Sequence, residues 1–389
     1  MSVIVSYRRT PYGKFLGALA NLSAVELGAH ALTHALKDAA VLPEEVDYVI
    51  AGQVLQAGLG QNPARQTAVA ADIALSTPAM TLNSVCLSGA EAITQAHRLI
   101  AAGEASIVAC VGQESMSQAP HLIDRSRTGT KYGPITVRDS IEVDGLTDAF
   151  ASASMGLSTE EGNTQRGISR ADQDDWAQGS HHRASTHRAA LAKEIAAITA
   201  PAGRTSITLD SDEGIRPETT VESLGALKPA FTADGTITAG NASPLSDGAA
   251  SVIVMSEAEF ARRKSLGLAR ILSHAFVAGP DTSLHSQPSQ AIKKALSAVG
   301  KDPRDCSVIE INEAFASVVI QSIRDLDVGK EIVNPRGGAI ALGHPIGSSG
   351  TRIVGSLALQ VSEIGPGNLG AAGICGGGGQ GSALILEAL

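Results

Sequence analysis

The stretches "LPEEVDYVIAGQ" (42–53) and "KDPRDCSVIEIN" (301–312) follow one plan: a polar turn, acidic residues, then an apolar run with Val-Ile that ends on an amide, Gln53 or Asn312. Short apolar runs bounded by turn residues read as buried strands. Each follows a helical pattern, 23–39 in the first half and 288–299 in the second. Downstream, Ile93, His97, Ile100 and Ala101 keep helical spacing until Gly103, and "ASIVACVGQ" (105–113) follows as a strand. The second half repeats this order, with Ile353, Val354, Leu357, Val361 and Ile364 stopped by Gly365-Pro366, then "LGAAGICGG" (369–377). Repetition of this kind predicts two similar layered α/β units. On this alignment Cys86 lies opposite His344, each at a helix start, and Cys110 lies opposite Cys375, each at a strand end.

The chain between the halves, 118 to about 245, breaks the pattern. It carries "SRTGTKYGP", a Trp/His/Arg helix around 170–196 and the loop-rich "SDEGIRPETTVESLGALKPAF". It reads as an insertion on a helical and irregular plan, with Trp176 in its core. Ser2–Ser6 reads as a first strand, after which Arg8 and Arg9 open a loop. The lack of acidic residues before Glu26 gives residues 1–25 a superficial likeness to a transit peptide, but the strand reading fits better.

A net charge of −9 offers no basic excess to neutralise phosphates, which argues against nucleic-acid binding. No apolar run approaches the roughly 20 residues of a membrane span. The 4 cysteines, none in a CxxC, fit neither a zinc site nor a disulfide framework, so the reducing cytoplasm is expected. Among them Cys86 stands out in "TLNSVCLSGAEAI" (81–93), between a β-type run and a helix. A helix start favours a thiolate. Taken alone, such a cysteine reads as a buried small residue. Three second-half motifs alter that balance: "NEAFA" (312–316), "GGAIALGHPIGSSG" (337–350) and "CGGGGQG" (375–381). Gly343 and Pro345 constrain the backbone around His344, and the glycines after Cys375 leave bare N–H groups suited to an oxyanion.

Together with "RTPYGKF", "GQESMS" and "AGNASPLSDGAA", these motifs in this order resemble the thiolase family over residues 3–389. The resemblance implies two five-layered αβαβα halves, a duplicated fold with an inserted loop domain. It divides the chain into an N-terminal half (1–117 plus about 246–267), a loop domain (118–245) for CoA binding and oligomer contacts, and a C-terminal half (268–389). It further implies a homotetramer, a dimer of dimers, acting on coenzyme A thioesters with no tightly bound cofactor and no metal. Cys86 resembles the acyl-accepting nucleophile, His344 its base, and Cys375 the second acid/base. Asn312 resembles the residue that positions a water in a first oxyanion hole, with His344 as the other donor. The N–H groups of Cys86 and Gly377 would form the second hole. Leu146 and Met155 match pantetheine or acyl-pocket contacts, and Arg216 and Ser223 match positions near the adenine. Phe231 and Ser243 match the pantetheine arm, and Ala314 and Phe315 the reacting end. Arg216 suits a nucleotide because its planar cation both stacks and pairs.

The chain departs from the family pattern at Ser154, Leu284, Gln287 and Arg336, which bears on acyl-chain selectivity; Arg336 is expected to face solvent. His181, His182 and His187 lack metal-ligand spacing and read as a solvated helix face. Asp172, Asp174 and Asp175 read as a helix N-terminus. Cys110 and Cys306, in apolar strands, carry no expected chemistry. The leading reading is a short-chain thiolase joining two acetyl-CoA or cleaving acetoacetyl-CoA. The nearest alternative is a broad-range degradative 3-ketoacyl-CoA thiolase. A cysteine-dependent acyl-CoA hydrolase would leave Cys375 idle, and a non-catalytic CoA- or lipid-binding relative would be expected to lack part of the Cys86, Asn312, His344, Cys375 set.

Overall fold

A computed structural model describes all residues 1–389. Five strands form an N-terminal sheet: β1 (Ser2–Arg9), β2 (Tyr48–Gly52), β3 (Ala79–Leu82), β4 (Ile107–Ser115) and β5 (Ser246–Ser256). Four more, β6 (Ala269–Ala278), β7 (Cys306–Ile311), β8 (Leu369–Gly376) and β9 (Gln380–Ala388), form its C-terminal counterpart. The strand orders β3-β2-β4-β5-β1 and β7-β8-β9-β6 repeat one topology. In each, the pair β2/β4 or β7/β8 is parallel and the pairs nearer the middle are antiparallel. The counterpart of β3 is a single parallel bridge from Val333 to Ile309. The halves join edge to edge where Ser2, Val3 and Ile4 pair with Ile271, Arg270 and Ala269. The strand order is thus palindromic about this junction. Arg8 and Arg9 are the last residues of β1, not the start of a loop.

Side chains alternate across a strand, so each sheet presents two apolar faces. Val108, Cys110, Val252 and Val254 join Ala372, Ile374, Leu384 and Leu386 in one central core. Ile107, Ala109, Val111 and Ile253 face outward under helix α1 (Ala24–Asp38). Ile309, Ile311, Ala383 and Ile385 face outward under α3 (Gln287–Ser297) and α4 (Ala316–Leu326). Two helices fill the central layer, α2 (Ser88–Ala101) and α5 (Ser349–Ile364). The five layers are therefore built once, by the two halves together, rather than by each half. The reason lies in α5, buried from Ser349 through Ala358 and so requiring a sheet on either side.

α2 and α5 touch near their N-termini. A Cβ on Gly89 would lie 2.6 Å from the Thr351 backbone nitrogen, and one on Gly350 would collide with the nitrogen of Ala90. Only two bare backbones fit there. The pair Ser88-Gly89 and Ser349-Gly350 also fixes the true correspondence of the halves. In the sheets Ile50 pairs with Cys110, and its counterpart Ile309 pairs with Ala371. The counterpart of Cys375 is therefore Glu114, not Cys110, and that of Cys86 is Gly347, not His344. His344 lies five residues before α5 rather than at its start.

The inserted segment contains helices Met155–Arg166, Arg170–Thr186 and Arg188–Glu194, broken at His187. It also holds a hairpin, Ile198–Ala202 with Thr205–Leu209, that the sequence pattern did not predict. Pro201 within the run masks its strand character, and such prolines are tolerated at edges. Buried Arg9 ties this segment to β1 through Asp212 (2.6 Å) and Glu194 (3.0 Å). Trp176 is buried as expected, its Nε1–H donating to Glu313 (3.0 Å). No helix is long and apolar enough to cross a membrane.

Gly350→Ala is expected to destabilise the protein by about 1–3 kcal/mol or more, because the new methyl meets backbone that cannot retreat. Urea unfolding of the variant against wild type measures this; an unchanged midpoint would show that the helix crossing tolerates a side chain.

Candidate active site

Between β3 and α2 the chain makes a tight turn that aims Cys86. Val85 adopts φ +52°, a left-handed conformation that is strained for a β-branched residue. The Val85 N–H donates to Asn83 Oδ1 (2.9 Å), Ser84 N–H donates to Ser88 Oγ (2.9 Å), and Ser88 Oγ donates to the Val85 carbonyl. Cys86 itself is 4 % exposed. Burial pushes its thiol up to about 12, with a smaller push from the nearby Glu114 charge. At rest Cys86 is a thiol, and the helix start alone does not ionise it.

An imidazole, that of His344, is supplied from the other half. Ser349 Oγ donates to the Pro345 carbonyl (3.1 Å), which spends its only proton, so it accepts from His344 Nδ1–H (2.6 Å). This assigns the tautomer and leaves Nε2 unprotonated. Nε2 faces the Asn312 amide, whose Nδ2–H donates to it across 3.4 Å. Burial, helped by Arg352, lowers the His344 imidazole to about 3, so it rests neutral and able to accept a proton. Asn312 Oδ1 is buried with no partner.

Cys375 is the last residue but one of β8, 1 % exposed, packed with Met155, Leu284, Ala314 and Val318. Burial and then the proximity of Cys86 raise its thiol well above the ordinary value. A Cβ on Gly377 would lie 3.5 Å from Val85, so the turn after Cys375 runs beside the turn that carries Cys86. The N–H groups of Cys86 and Gly377 have no acceptor within the protein.

Cys86 and His344 open into a cavity of about 360 Å³. Leu146, Met155, Phe231, Ser243, Ala314 and Phe315 line it. Arg216 and Ser223 do not; both are exposed on the surface, Ser223 within the short helix Val221–Gly225. Asn312, Cys375 and Gly377 lie behind or beside the cavity rather than in its lining. Met116, Glu142, Pro244 and Ile346 are lining residues that had not been singled out. Met116 and Pro244 fall inside the motifs "GQESMS" and "AGNASPLSDGAA", which were the available signal.

Residues 2–258 match the thiolase N-terminal domain and residues 266–388 the thiolase C-terminal domain. The chain belongs to the thiolase family. It is 50 % identical over 391 residues to the probable acetyl-CoA acetyltransferase of Mycobacterium tuberculosis, covering 100 % of this chain and 99 % of that protein. The acetyl-CoA acetyltransferase of Cupriavidus necator is 43 % identical, over 99 % of this chain and 98 % of its own. Among solved structures, human mitochondrial 3-ketoacyl-CoA thiolase superposes with a TM-score of 0.95 at 38 % identity, covering 100 % of this chain and 98 % of that one. An Ascaris suum thiolase in complex with coenzyme A gives 0.92 at 35 % identity, covering 100 % of both chains.

The departures from the thiolase pattern have definite places. Ser154 lines the cavity and caps the helix Met155–Arg166, accepting from Leu157 N–H (3.2 Å). Leu284 packs against Cys375. Gln287 Nε2 donates to the Gly279 carbonyl (3.1 Å) behind that packing. Arg336 is not turned to solvent; its side chain is mostly covered and pairs with Glu363, drawn there by opposite charge. His181 is likewise buried, against the solvated face expected, and Nδ1 accepts from Arg216 N–H (3.3 Å). Asp172 caps its helix with Ser169, whereas Asp174 is buried and accepts from Asn241 (2.8 Å). Cys110 and Cys306 are both buried in strands. Glu114, Glu313 and Ser349 were missed, although all three sit inside quoted motifs. Glu313 accepts from Trp176, Ser180, Asn334 and the Ile340 N–H, and so holds the segment that leads to His344.

Removing the acceptor on Nδ1 frees the imidazole to rotate and to change tautomer. Ser349→Ala is expected to lower kcat by about tenfold to a hundredfold with KM little changed, as for loss of other orienting groups in acid–base catalysis. Steady-state kinetics of the variant provide the check.

Proposed function

We propose that this thiolase is an acetyl-CoA C-acetyltransferase that joins two acetyl-CoA into acetoacetyl-CoA and free CoA, and runs the reverse cleavage. The observation that carries the reading is one cavity onto which Cys86 and His344 open together, with Cys375 packed behind Met155 and Ala314 of its wall. The names borne by the relatives at 43–50 % identity agree with it.

In the first half-reaction His344 Nε2 takes the Cys86 proton as the sulfur attacks the thioester carbon. The oxyanion meets the Nε2–H so formed and a water held by Asn312, whose unpartnered Oδ1 is the acceptor such a water would satisfy. CoA leaves as a thiolate and takes the proton of Cys375. The Cys375 thiolate then removes an α-proton from a second acetyl-CoA. Its enolate attacks the acyl-cysteine carbonyl, whose oxyanion is held by the free N–H groups of Cys86 and Gly377. Collapse releases acetoacetyl-CoA, and the Cys86 thiolate recovers its proton from His344. Every proton returns to its origin except the one now on CoA, which balances the α-proton retained by Cys375.

Phe231, Ser243, Leu146 and Phe315 would flank the pantetheine arm, with Arg216 and Ser223 near the nucleotide end. Substrates are coenzyme A thioesters, with no tightly bound cofactor. Exposed apolar side chains at Ile135, Val137 and Phe150 fit the oligomer contacts of a cytoplasmic homotetramer.

Incubation with acetyl-CoA followed by intact-mass measurement tests the roles. Wild type and Cys375→Ala should gain one acetyl group, Cys375→Ala should make no acetoacetyl-CoA, and Cys86→Ala should gain nothing. Acetylation and condensation by Cys86→Ala would overturn the assignment. For chain length, thiolysis of a medium-chain 3-ketoacyl-CoA is expected to be about tenfold or more slower than that of acetoacetyl-CoA. Equal rates would assign the broad-range activity instead.

A further inference from the structure

Glu114 occupies, in the N-terminal half, the position that Cys375 occupies in the C-terminal half, and it is fully buried. Oε2 accepts from the N–H groups of Val54 (3.0 Å) and Gly347 (3.0 Å), and Oε1 from that of Leu55 (3.1 Å). Burial raises its carboxyl to about 7, and the three backbone donors oppose that shift by favouring the carboxylate. The titratable groups that face it are Cys86 and Asp247, the latter on β5.

Its two arms lead to the two catalytic segments. Gly347 belongs to the turn that carries His344, and that turn closes through Ser348 N–H and Ser349 N–H onto the Pro345 carbonyl. On the other side the Val54 carbonyl accepts from Asn83 Nδ2 (3.4 Å), and Asn83 Oδ1 accepts from the N–H of Val85, the residue before Cys86. A single carboxylate therefore connects the nucleophile's turn in one half to the base's turn in the other. Gly347, the counterpart of Cys86, has no room for a side chain: its Cβ would lie 2.8 Å from Glu114 Oε2 and 2.7 Å from the Gln113 carbonyl. The second copy of the reactive position is thus closed by the group that braces the first.

We infer that Glu114 is a positioning residue that sets the geometry of Cys86 against His344 through Gly347 on one side and Val54–Asn83–Val85 on the other. This rests on the acyl-cysteine reading above. A displacement of about 1 Å between nucleophile and base costs up to about a hundredfold in rate.

The test is single-turnover acetylation by saturating acetyl-CoA, followed by intact mass in wild type, Glu114→Gln and Asn83→Ala. Glu114→Gln presents an NH₂ to backbone donors and breaks one arm or both. Its acetylation rate constant is expected to fall about tenfold to a hundredfold, still reaching one acetyl per chain, with KM within about threefold. A rate constant within twofold of wild type overturns the inference. So does a lower stoichiometry with an unchanged rate constant, which is the mark of a merely structural role. If Glu114→Gln does not fold, Asn83→Ala decides: a fall of about fivefold or more supports the link, and a wild-type rate overturns it. Failure of wild type itself to acetylate would instead defeat the acyl-cysteine reading, so the two failures are distinguishable.

Discussion

Two helices cross backbone to backbone at Gly89 and Gly350 in the middle of the protein, and the site exists because of that crossing. Each helix is led in by a turn that carries a reactive side chain, Cys86 before one and His344 before the other. Were the helices a side chain's width further apart, neither turn would reach the other. The same crossing sets the distance between the sheets, and with it the ends of β4 and β8, where Glu114 and Cys375 lie. Groups drawn from both halves of the chain thus gather where parallel strands end and helices begin, the usual place for a site in a layered α/β protein.

Burial then decides the electrical state of the site. Both thiols are pushed upward and the imidazole downward, so Cys86, His344 and Cys375 all rest uncharged. In the proposed reaction these three groups carry no charge until a thioester carbonyl is attacked, and the fixed N–H groups would act where the oxyanion develops. Glu114 is different in kind: burial raises its carboxyl to about 7, while three backbone donors favour its charged form. Its place beside the nucleophile works against the thiolate, and proton removal by His344 offsets that effect.

The duplication was legible because both halves write the same strand in the same order, "DYVIAGQ" and "CSVIEIN", after matching turns. The pairing of individual residues was not. Cys110 and Cys375 share a residue type but not a position, whereas the true counterparts, Glu114 with Cys375 and Gly347 with Cys86, share no chemistry that an alignment by eye could follow. Cys86, His344 and Cys375 stand out in the sequence through their motifs, and the fold brings their segments together. Side-chain partners could not: Arg336 meets Glu363, His181 meets Arg216, and Ser349 becomes a proton acceptor only because Pro345 takes its hydrogen. The hairpin at 198–209 was hidden by Pro201, and the layers were miscounted because no local pattern says that α5 is covered from both sides.

The account depends on a division of labour between two sulfurs, Cys86 carrying acyl and Cys375 moving the α-proton. Exchange of the acetyl methyl protons of acetyl-CoA in D₂O, read by NMR or mass, addresses this step apart from condensation. The account predicts deuterium uptake catalysed by wild type and its loss in Cys375→Ala, while that variant still becomes acetylated. Undiminished exchange in Cys375→Ala would contradict it, because some other group would then be removing the proton.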